Sequence, residues 1–352
     1  MHNKLQHKKT LAVAVMFLFI GIMIAQSILV HNITASDDNS IDTMVSNSLE
    51  NISVDDDAFH NSSRFFHIES WYFDVMFEQN YSIAFIVTVF QKDNRGSVLC
   101  GLYLYKNTTL VVQQRKNFSF SQLSASEERP LLVLGNTTII DGLINKTGLW
   151  TYHISWELDS QGVDLQFVNI TKGWKSDIRG GWWLAIPNLR VSGNILLNGE
   201  TIPVTGEGYH DHNWFRLCTP FIQKGWHFIN IPGETIDITY VQVMKTQFKG
   251  EVLAVWNQNE KTPLLIPADD VNLTVTEYMF DHGRWIPKNL LLQINNEQVQ
   301  ADITLQTYNV HYVKLPFLKY WRYHLKITGT IITGSLTETI DAVQISELIK
   351  FY

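Results

Sequence analysis

Cysteine is scarce in this chain, which has two in 352 residues. Cys100 and Cys218 fit no metal-ligand spacing such as Cys-x-x-Cys, which argues against a cysteine-based metal centre. In an oxidising compartment the two thiols can form a disulfide. The sequence leaves this pairing open, because it does not show whether the two residues lie close together.

Charge is scarce as well. Charged residues make up 17% of the chain, against about 25% in an average soluble protein. The net charge is −7, and the predicted globular part has no run of Lys and Arg. Nucleic acid is therefore excluded as a partner, since phosphate backbones are bound by clustered cations.

Several catalytic signatures are missing. The sequence contains no glycine-rich phosphate loop, no Gly-x-Ser-x-Gly elbow and no His-Glu-x-x-His helix. These absences argue against a P-loop nucleotide enzyme, an α/β-hydrolase and a zinc protease of that type.

Aromatic residues, in contrast, are abundant at 12%, which favours β-sheets and apolar pockets. Short segments that alternate between apolar and polar residues run along the chain from residue 71 onwards. Turn residues separate them, and Asn198-Gly199 is the strongest hairpin signal. The pattern predicts an all-β, antiparallel protein. Only residues 340–349 show helical spacing.

An apolar run at residues 11–30 is long enough to cross a bilayer, which needs about 20 apolar residues. Lys4, Lys8 and Lys9 precede it, so the positive-inside rule places residues 1–10 in the cytoplasm. We expect an uncleaved signal anchor in the cell membrane, with the body of the protein outside the cytoplasm. A cleaved signal peptide is the alternative.

The segment after the run, residues 31–62, is rich in Asn, Ser and Asp and predicts a flexible stalk. Ten Asn-x-Ser/Thr triplets agree with export and a glycoprotein, although abundant Asn, Ser and Thr also produce them. Their asparagines are Asn32, Asn51, Asn61, Asn80, Asn107, Asn117, Asn136, Asn145, Asn169 and Asn272.

Residues 314–322 place three aromatic residues between basic ones. This pattern is compatible with contact to a membrane surface, but it favours a loop and strand with a solvated edge.

The densest chemistry lies at residues 206–215, with the sequence Gly-Glu-Gly-Tyr-His-Asp-His-Asn-Trp-Phe. In an extended strand, side chains alternate between two faces. His210, His212 and Trp214 then share one face, while Asp211 and Asn213 share the other. The first face can line a pocket that is polar at one end and apolar at the other.

This segment resembles the signature of the carotenoid 1,2-hydratase (hydroxyneurosporene synthase) family. A second segment, Glu-Ser-Trp-Tyr-Phe-Asp at residues 69–74, resembles the opening strand of that family. The resemblance implies two lipocalin-like antiparallel β-barrel domains, at residues 63–217 and 218–352. It also implies an apolar isoprenoid or lipid ligand and no cofactor.

The resemblance further implies a catalytic site. His212 and Trp214 match a His-x-Trp pair of the family, and Tyr240 matches the tyrosine of a Tyr-x-Asp pair on a neighbouring strand. Gln242 stands where that aspartate is expected. Because an amide is no useful proton donor, a protonated His212 or His210 would have to act as the acid.

Residues expected to bind the substrate are His210, Asp211, Asn213 and Trp71. Other carboxylates, Asp74 among them, fall out of phase with the expected site unless a β-bulge intervenes.

Several functions remain open on the sequence. The enzyme hypothesis is a hydro-lyase, cyclase or isomerase; the alternatives are a lipid carrier and a surface structural protein with a buried polar network. A metal site is a further alternative, since His210 and His212 can chelate an ion. It would need a third ligand such as His227 or His282, to which no spacing points, so we expect no metal.

Overall fold

The structure is a computed structural model that describes residues 48–62, 67–93, 95–145, 149–178, 181–216, 223–244, 250–259, 261–315 and 318–351. These residues form β-strands and three short 3-10 helices, at Val54–Asp57, Phe120–Gln122 and Ala268–Asp270, so the all-β prediction is confirmed. In this part of the chain, no helix has the length and apolar character to cross a membrane. The predicted span at residues 11–30 lies outside it.

Thirteen strands form the N-terminal sheet. They are β1 (Glu50–Asn51), β2 (His67–Phe77), β3 (Tyr81–Lys92), β4 (Arg95–Lys106), β5 (Thr109–Ser119), β6 (Leu123–Ala125), β7 (Leu131–Leu134), β8 (Thr137–Ile144), β9 (Trp150–Leu158), β10 (Gln161–Asn169), β11 (Trp174–Ile178), β12 (Gly181–Leu197) and β13 (Glu200–Arg216). Their order is β5-β4-β3-β2-β13-β12-β10-β9-β8-β7-β6, and β11 pairs with β12 and with β1. Every pairing is antiparallel.

Nine strands form the C-terminal sheet. They are β14 (Gly225–Ile231), β15 (Ile236–Met244), β16 (Gly250–Gln258), β17 (Leu264–Ile266), β18 (Val271–Asp281), β19 (Arg284–Asn295), β20 (Gln300–Leu315), β21 (Leu318–Thr333) and β22 (Leu336–Phe351). Their order is β17-β16-β15-β14-β22-β21-β20-β19-β18. The two sheets curve into a nearly closed barrel and a half-barrel.

The turn between β12 and β13 sets the position of the histidine motif. Asn198 and Gly199 both adopt positive φ, 54° and 82°, as a two-residue type I′ hairpin requires. This turn fixes the register of the hairpin as far as Gly208 opposite Leu189. A bulge between Leu189 and Ile186 then shifts the pairing by one residue, so that His212 lies opposite Leu184. The predicted hairpin is confirmed.

Each sheet encloses its own apolar core, and a third cluster lies between the sheets. Residues of the N-terminal core include Phe73 and Phe167, and those of the C-terminal core include Tyr240 and Trp321. The cluster between the sheets packs aromatic residues of the first sheet against β14, β15 and β16. The sheets are therefore joined by packed side chains as well as by the chain.

The helical spacing at residues 340–349 was misleading, because the structure places them in strand β22. Residues 344–349 are all buried. A strand covered on both faces loses the apolar–polar alternation that marks a half-exposed strand. A continuous apolar run of this kind is easily mistaken for a helix.

The flexible stalk was also predicted too long. Strand β1 pairs with β11, and a capping box between Ser53 and Asp56 starts the first 3-10 helix. Asp57 and Phe59 are buried against the N-terminal sheet. Residues 48–62 therefore belong to the folded body, while residues 31–47 lie outside the described part.

Two other predictions fall at or beyond the limits of the described residues. The chain passes from one sheet to the other between Arg216 and Gly225, the interval of the predicted domain boundary. Cys218 lies there, outside the described residues, so the structure does not test its pairing with Cys100, which is buried.

Candidate functional site

Strands β13 and β2 lie side by side and place the histidine motif on the inner face of the N-terminal sheet. His212 lies directly opposite Trp71, and His210 lies opposite Phe73. Opposed residues share a face of a sheet, and all four side chains have no solvent exposure. The predicted alternation along the strand therefore holds.

Asp57 binds the first histidine from the 3-10 helix that precedes β2. Its carboxylate lies 3.1 and 3.2 Å from Nε2 of His210 and accepts a hydrogen bond of 2.6 Å from the hydroxyl of Tyr152. Nδ1 of His212 is 3.2 Å from Asp57 Oδ1, although its angle is too poor for a hydrogen bond. Asp57 thus contacts both histidines of the motif.

Glu69 is the second buried carboxylate, and three imidazole rings surround it. Its Oε1 atom is 2.8 Å from Nε2 of His212 and 2.8 Å from Nδ1 of His60, and its Oε2 atom is 2.9 Å from Nε2 of His67. The backbone N–H of His60 also donates to this carboxylate, at 3.0 Å. The site therefore consists of two carboxylates and four histidines, the "histidine–carboxylate cluster" of Asp57, His60, His67, Glu69, His210 and His212.

The two carboxylates decide the charge of His212. Burial alone would lower the pKa of this imidazole, but its close contacts with the negatively charged carboxylates of Asp57 and Glu69 raise it to about 9. Burial would conversely raise the pKa of both carboxyls, but the histidines around them keep each pKa well below its ordinary value. At neutral pH the centre of the cluster is an imidazolium between two carboxylates.

Aromatic rings cover the cluster. Trp71 stacks on the ring of His212 with centroids 4.3 Å apart, and His60 stacks on Trp214 at 4.1 Å. Trp182 lies parallel to Trp214 at 6.0 Å. His60 retains 31% side-chain exposure, whereas His212 has none. The cluster therefore meets solvent at His60, whose ring is stacked on Trp214.

Two of the predicted substrate-binding residues lie away from the cluster. Asp211 and Asn213 occupy the other face of β13 and hydrogen-bond to each other at 2.6 Å. Asp211 is buried toward the joint between the sheets, where burial and the nearby charge of Glu347 raise its pKa well above the ordinary value. Burial and the charge of Glu347 also raise the pKa of Asp74 well above its ordinary value. Both carboxyls face the C-terminal sheet, whose strand β21 contributes the fully buried Arg322.

Tyr240 and Gln242 are not brought to the cluster either. Both lie on β15, which pairs with β14 and β16, whereas β13 pairs with β12 and β2. Tyr240 packs in the C-terminal core, and Gln242 lies opposite His227. Strand β2, which does pair with β13, instead brings Glu69 to His212.

Three donors of the cluster lie close enough together to share a metal ion. The ligand atoms of His60, Glu69 and His212 all lie within 4.8 Å of one another. This set differs from the chelate considered above, since His227 and His282 belong to the C-terminal sheet. Nδ1 of His60 and Nε2 of His212 are each at hydrogen-bond distance from Glu69 Oε1. Hydrogen bonds can therefore hold these three groups together in the place of a metal ion.

Sequence reasoning missed most of the partners. Asp57 and His60 fall in the segment predicted as a stalk, where an acidic run signals solvation. Glu69 opens the second family-like segment, and its position next to Trp71 on an alternating strand was a usable signal. Tyr152 carried no signal, because only the pairing of distant strands brings it to Asp57.

No protein-family model matches this chain, and no curated protein matches it. Among solved structures, a candidate AttH protein from Nitrosomonas europaea is similar, with a TM-score of 0.64 at 14% identity over 86% of this chain and 97% of that one. Kievitone hydratase from Nectria haematococca is also similar, with a TM-score of 0.51 at 12% identity over 88% of this chain and 95% of that one. These likenesses show a shared fold, which in this chain is a nearly closed barrel followed by a half-barrel.

Proposed function

We propose that the protein binds an apolar small molecule at the histidine–carboxylate cluster and transfers a proton to it, in a hydratase or cyclase type of reaction. The observation that carries this proposal is the arrangement of His60. Its Nδ1 atom is held by Glu69, its ring lies on Trp214, and its Nε2 atom makes no hydrogen bond to any described residue. One ring nitrogen is thus fixed, and the other is available to a substrate.

A histidine held in this way can act first as an acid and then as a base. Glu69 accepts the Nδ1–H of His60, which fixes the tautomer and leaves Nε2 to exchange the proton. In a hydration, the Nε2–H of protonated His60 is transferred to one alkene carbon and leaves a cation on the other. Water adds to the cation and returns its proton to Nε2, so that alkene and water become an alcohol.

The rest of the cluster positions His60. Asp57 contacts His212, whose imidazolium in turn holds Glu69, and the face of Trp214 can stabilise a developing cation. Tryptophan side chains also favour an apolar substrate, and isoprenoids and other lipids are the first candidates. The name of the structurally similar kievitone hydratase supports the choice of a hydratase over other proton-transfer enzymes.

The proposed location of the protein is the outer face of the cell membrane. The apolar run at residues 11–30 would anchor the chain in the cell membrane, with the two sheets outside the cytoplasm. Nine of the asparagines in glycosylation triplets are described, and all but Asn169 are exposed, which supports export. A carrier that holds the same lipid without changing it is the second candidate.

The test is proton transfer to carbon. Ligands extracted from the full chain, purified from its own host, would be identified by mass spectrometry and incubated with the protein in D2O. We expect deuterium at carbon with the wild type and a loss of at least 100-fold with His60→Ala. The matched control is His153→Ala, since His153 also pairs with a carboxylate, Asp164 at 2.8 Å, but is exposed on the other face of β9 from Tyr152.

The outcomes separate the candidates. A bound lipid that acquires no deuterium identifies a carrier, and an empty protein that acts on no polyene refutes both. A chelator should leave the exchange unchanged. If EDTA abolishes it, a metal ion on His60, Glu69 and His212 replaces the proton in this proposal.

A further inference from the structure

One end of the C-terminal sheet exposes large aromatic side chains. Phe280 and Trp285 are 62% and 63% exposed, and they lie opposite each other on β18 and β19. Their rings make an edge-to-face contact with centroids 5.4 Å apart. They flank the turn at His282 and Gly283, at the free edge of the sheet.

Basic residues line the same end. Lys314, Lys319 and Lys350 lie directly opposite one another across β20, β21 and β22. Lys319 Nζ donates to the carbonyl of His282, which joins this row to the aromatic turn. Arg284 follows the turn. Burial lowers the pKa of Lys350, and the nearby charge of Arg284 lowers it further.

Cations opposed in this way repel one another and weaken a sheet. The acid at the turn is Asp281, which already hydrogen-bonds His282 and the indole N–H of Trp321. In a chain of net charge −7, this end is therefore a local cationic surface with exposed aromatic residues at its tip. The "basic–aromatic end" consists of Phe280, Arg284, Trp285, Lys314, Lys319 and Lys350.

We propose that the basic–aromatic end docks on the surface of a lipid bilayer with anionic headgroups. Trp and Phe at an exposed tip suit the membrane interface, and a row of Lys and Arg suits headgroup phosphates. The apolar run at residues 11–30 would keep the chain at such a surface. The residues between this run and β1 can span about 60 Å when extended, which leaves the sheet free to reach the bilayer.

This inference is independent of the histidine–carboxylate cluster, and it is tested by the position of Trp285. The full chain would be reconstituted with vesicles of phosphatidylcholine and phosphatidylglycerol (4:1), with and without lipids brominated near the headgroup. Bromine quenches nearby indoles, and the chain has 11 tryptophans. The difference between wild type and Trp285→Phe therefore isolates one of them.

We expect brominated lipid to quench the wild type more than Trp285→Phe. The excess should fall about tenfold in Arg284→Glu/Lys319→Glu and in 1 M salt. The control is Ile332→Ser, because Ile332 is 39% exposed at the opposite end of the same sheet, and the excess should persist there. Circular dichroism would confirm that each variant is folded.

Two results would overturn the proposal. One is equal quenching of wild type and Trp285→Phe in brominated vesicles. The other is a dimer of the full chain in detergent that Trp285→Phe dissociates, because a second copy of the chain would then cover the surface.

Discussion

The two sheets each bury a histidine, and their surroundings hold the two rings in opposite charge states. His212 of the N-terminal sheet contacts two carboxylates, and its pKa is raised to about 9. His227 of the C-terminal sheet contacts no carboxylate among the described residues; burial, with a smaller effect of the charge of Lys350, lowers its pKa to about 4. Equal burial thus has opposite consequences, decided by the nearest charges.

The largest test of this comparison removes each ring. We expect His212→Leu to lower the free energy of unfolding by about 3–5 kcal/mol, because Asp57 and Glu69 lose the cation between them. His227→Leu should cost about 1 kcal/mol or less, since a neutral buried ring gives way to an apolar one. Urea unfolding at pH 7 measures both. Equal losses would show that the charge of His212 contributes nothing.

A second test follows the two rings with pH. The raised pKa of His212 contributes stability in full below its unfolded value of 6.5, and this contribution is lost as the pH rises to about 9. The unfolded chain, by contrast, protonates His227 below pH 6.5, whereas the folded protein does so near pH 4. The lowered pKa of His227 therefore makes the fold less stable as the pH falls through that interval.

NMR of the imidazole rings measures the two charge states directly. At pH 7 we expect His212 to be charged and His227 neutral, with assignments from the two leucine variants. The stability advantage of wild type over His212→Leu should shrink between pH 6.5 and 9. The stability of wild type relative to His227→Leu should fall between pH 6.5 and 4. A neutral His212 at pH 7 would contradict the comparison.

The smallest test compares two buried tyrosines. The hydroxyl of Tyr152 donates to Asp57, whereas that of Tyr323 makes no hydrogen bond within the described part of the C-terminal sheet. Tyr152→Phe should cost about 1.5–3 kcal/mol, because a hydrogen bond to a charged group is lost. Tyr323→Phe should be neutral or slightly stabilising. Thermal unfolding of both variants measures the difference, and a larger loss for Tyr323→Phe would reverse the interpretation.

The sequence predicted the parts of the site that lie on regular strands. Alternation along β13 correctly separated His210 and His212 from Asp211, because the period of a strand is local information. The Asn198-Gly199 turn was predicted for the same reason. The pairing of β13 with β2, which makes Glu69 the partner of His212, depends on a contact between distant segments.

Composition misled where a polar segment is buried. An Asp-rich stretch is normally solvated, yet Asp57 has no solvent exposure because His210, His212 and Tyr152 contact its carboxylate. Tyr240 lies away from the cluster for a different reason. It is close to His212 in the chain, but the chain changes sheets between them.

The short 3-10 helix before β2 has a practical consequence for anyone who shortens this protein. A chain begun at residue 63, where composition places the domain start, would retain His210 and His212 but discard Asp57 and His60. The remaining protein would still have most of its strands, but its histidine–carboxylate cluster would be incomplete. A truncation designed to remove the predicted membrane anchor should therefore keep every residue from 48 onwards.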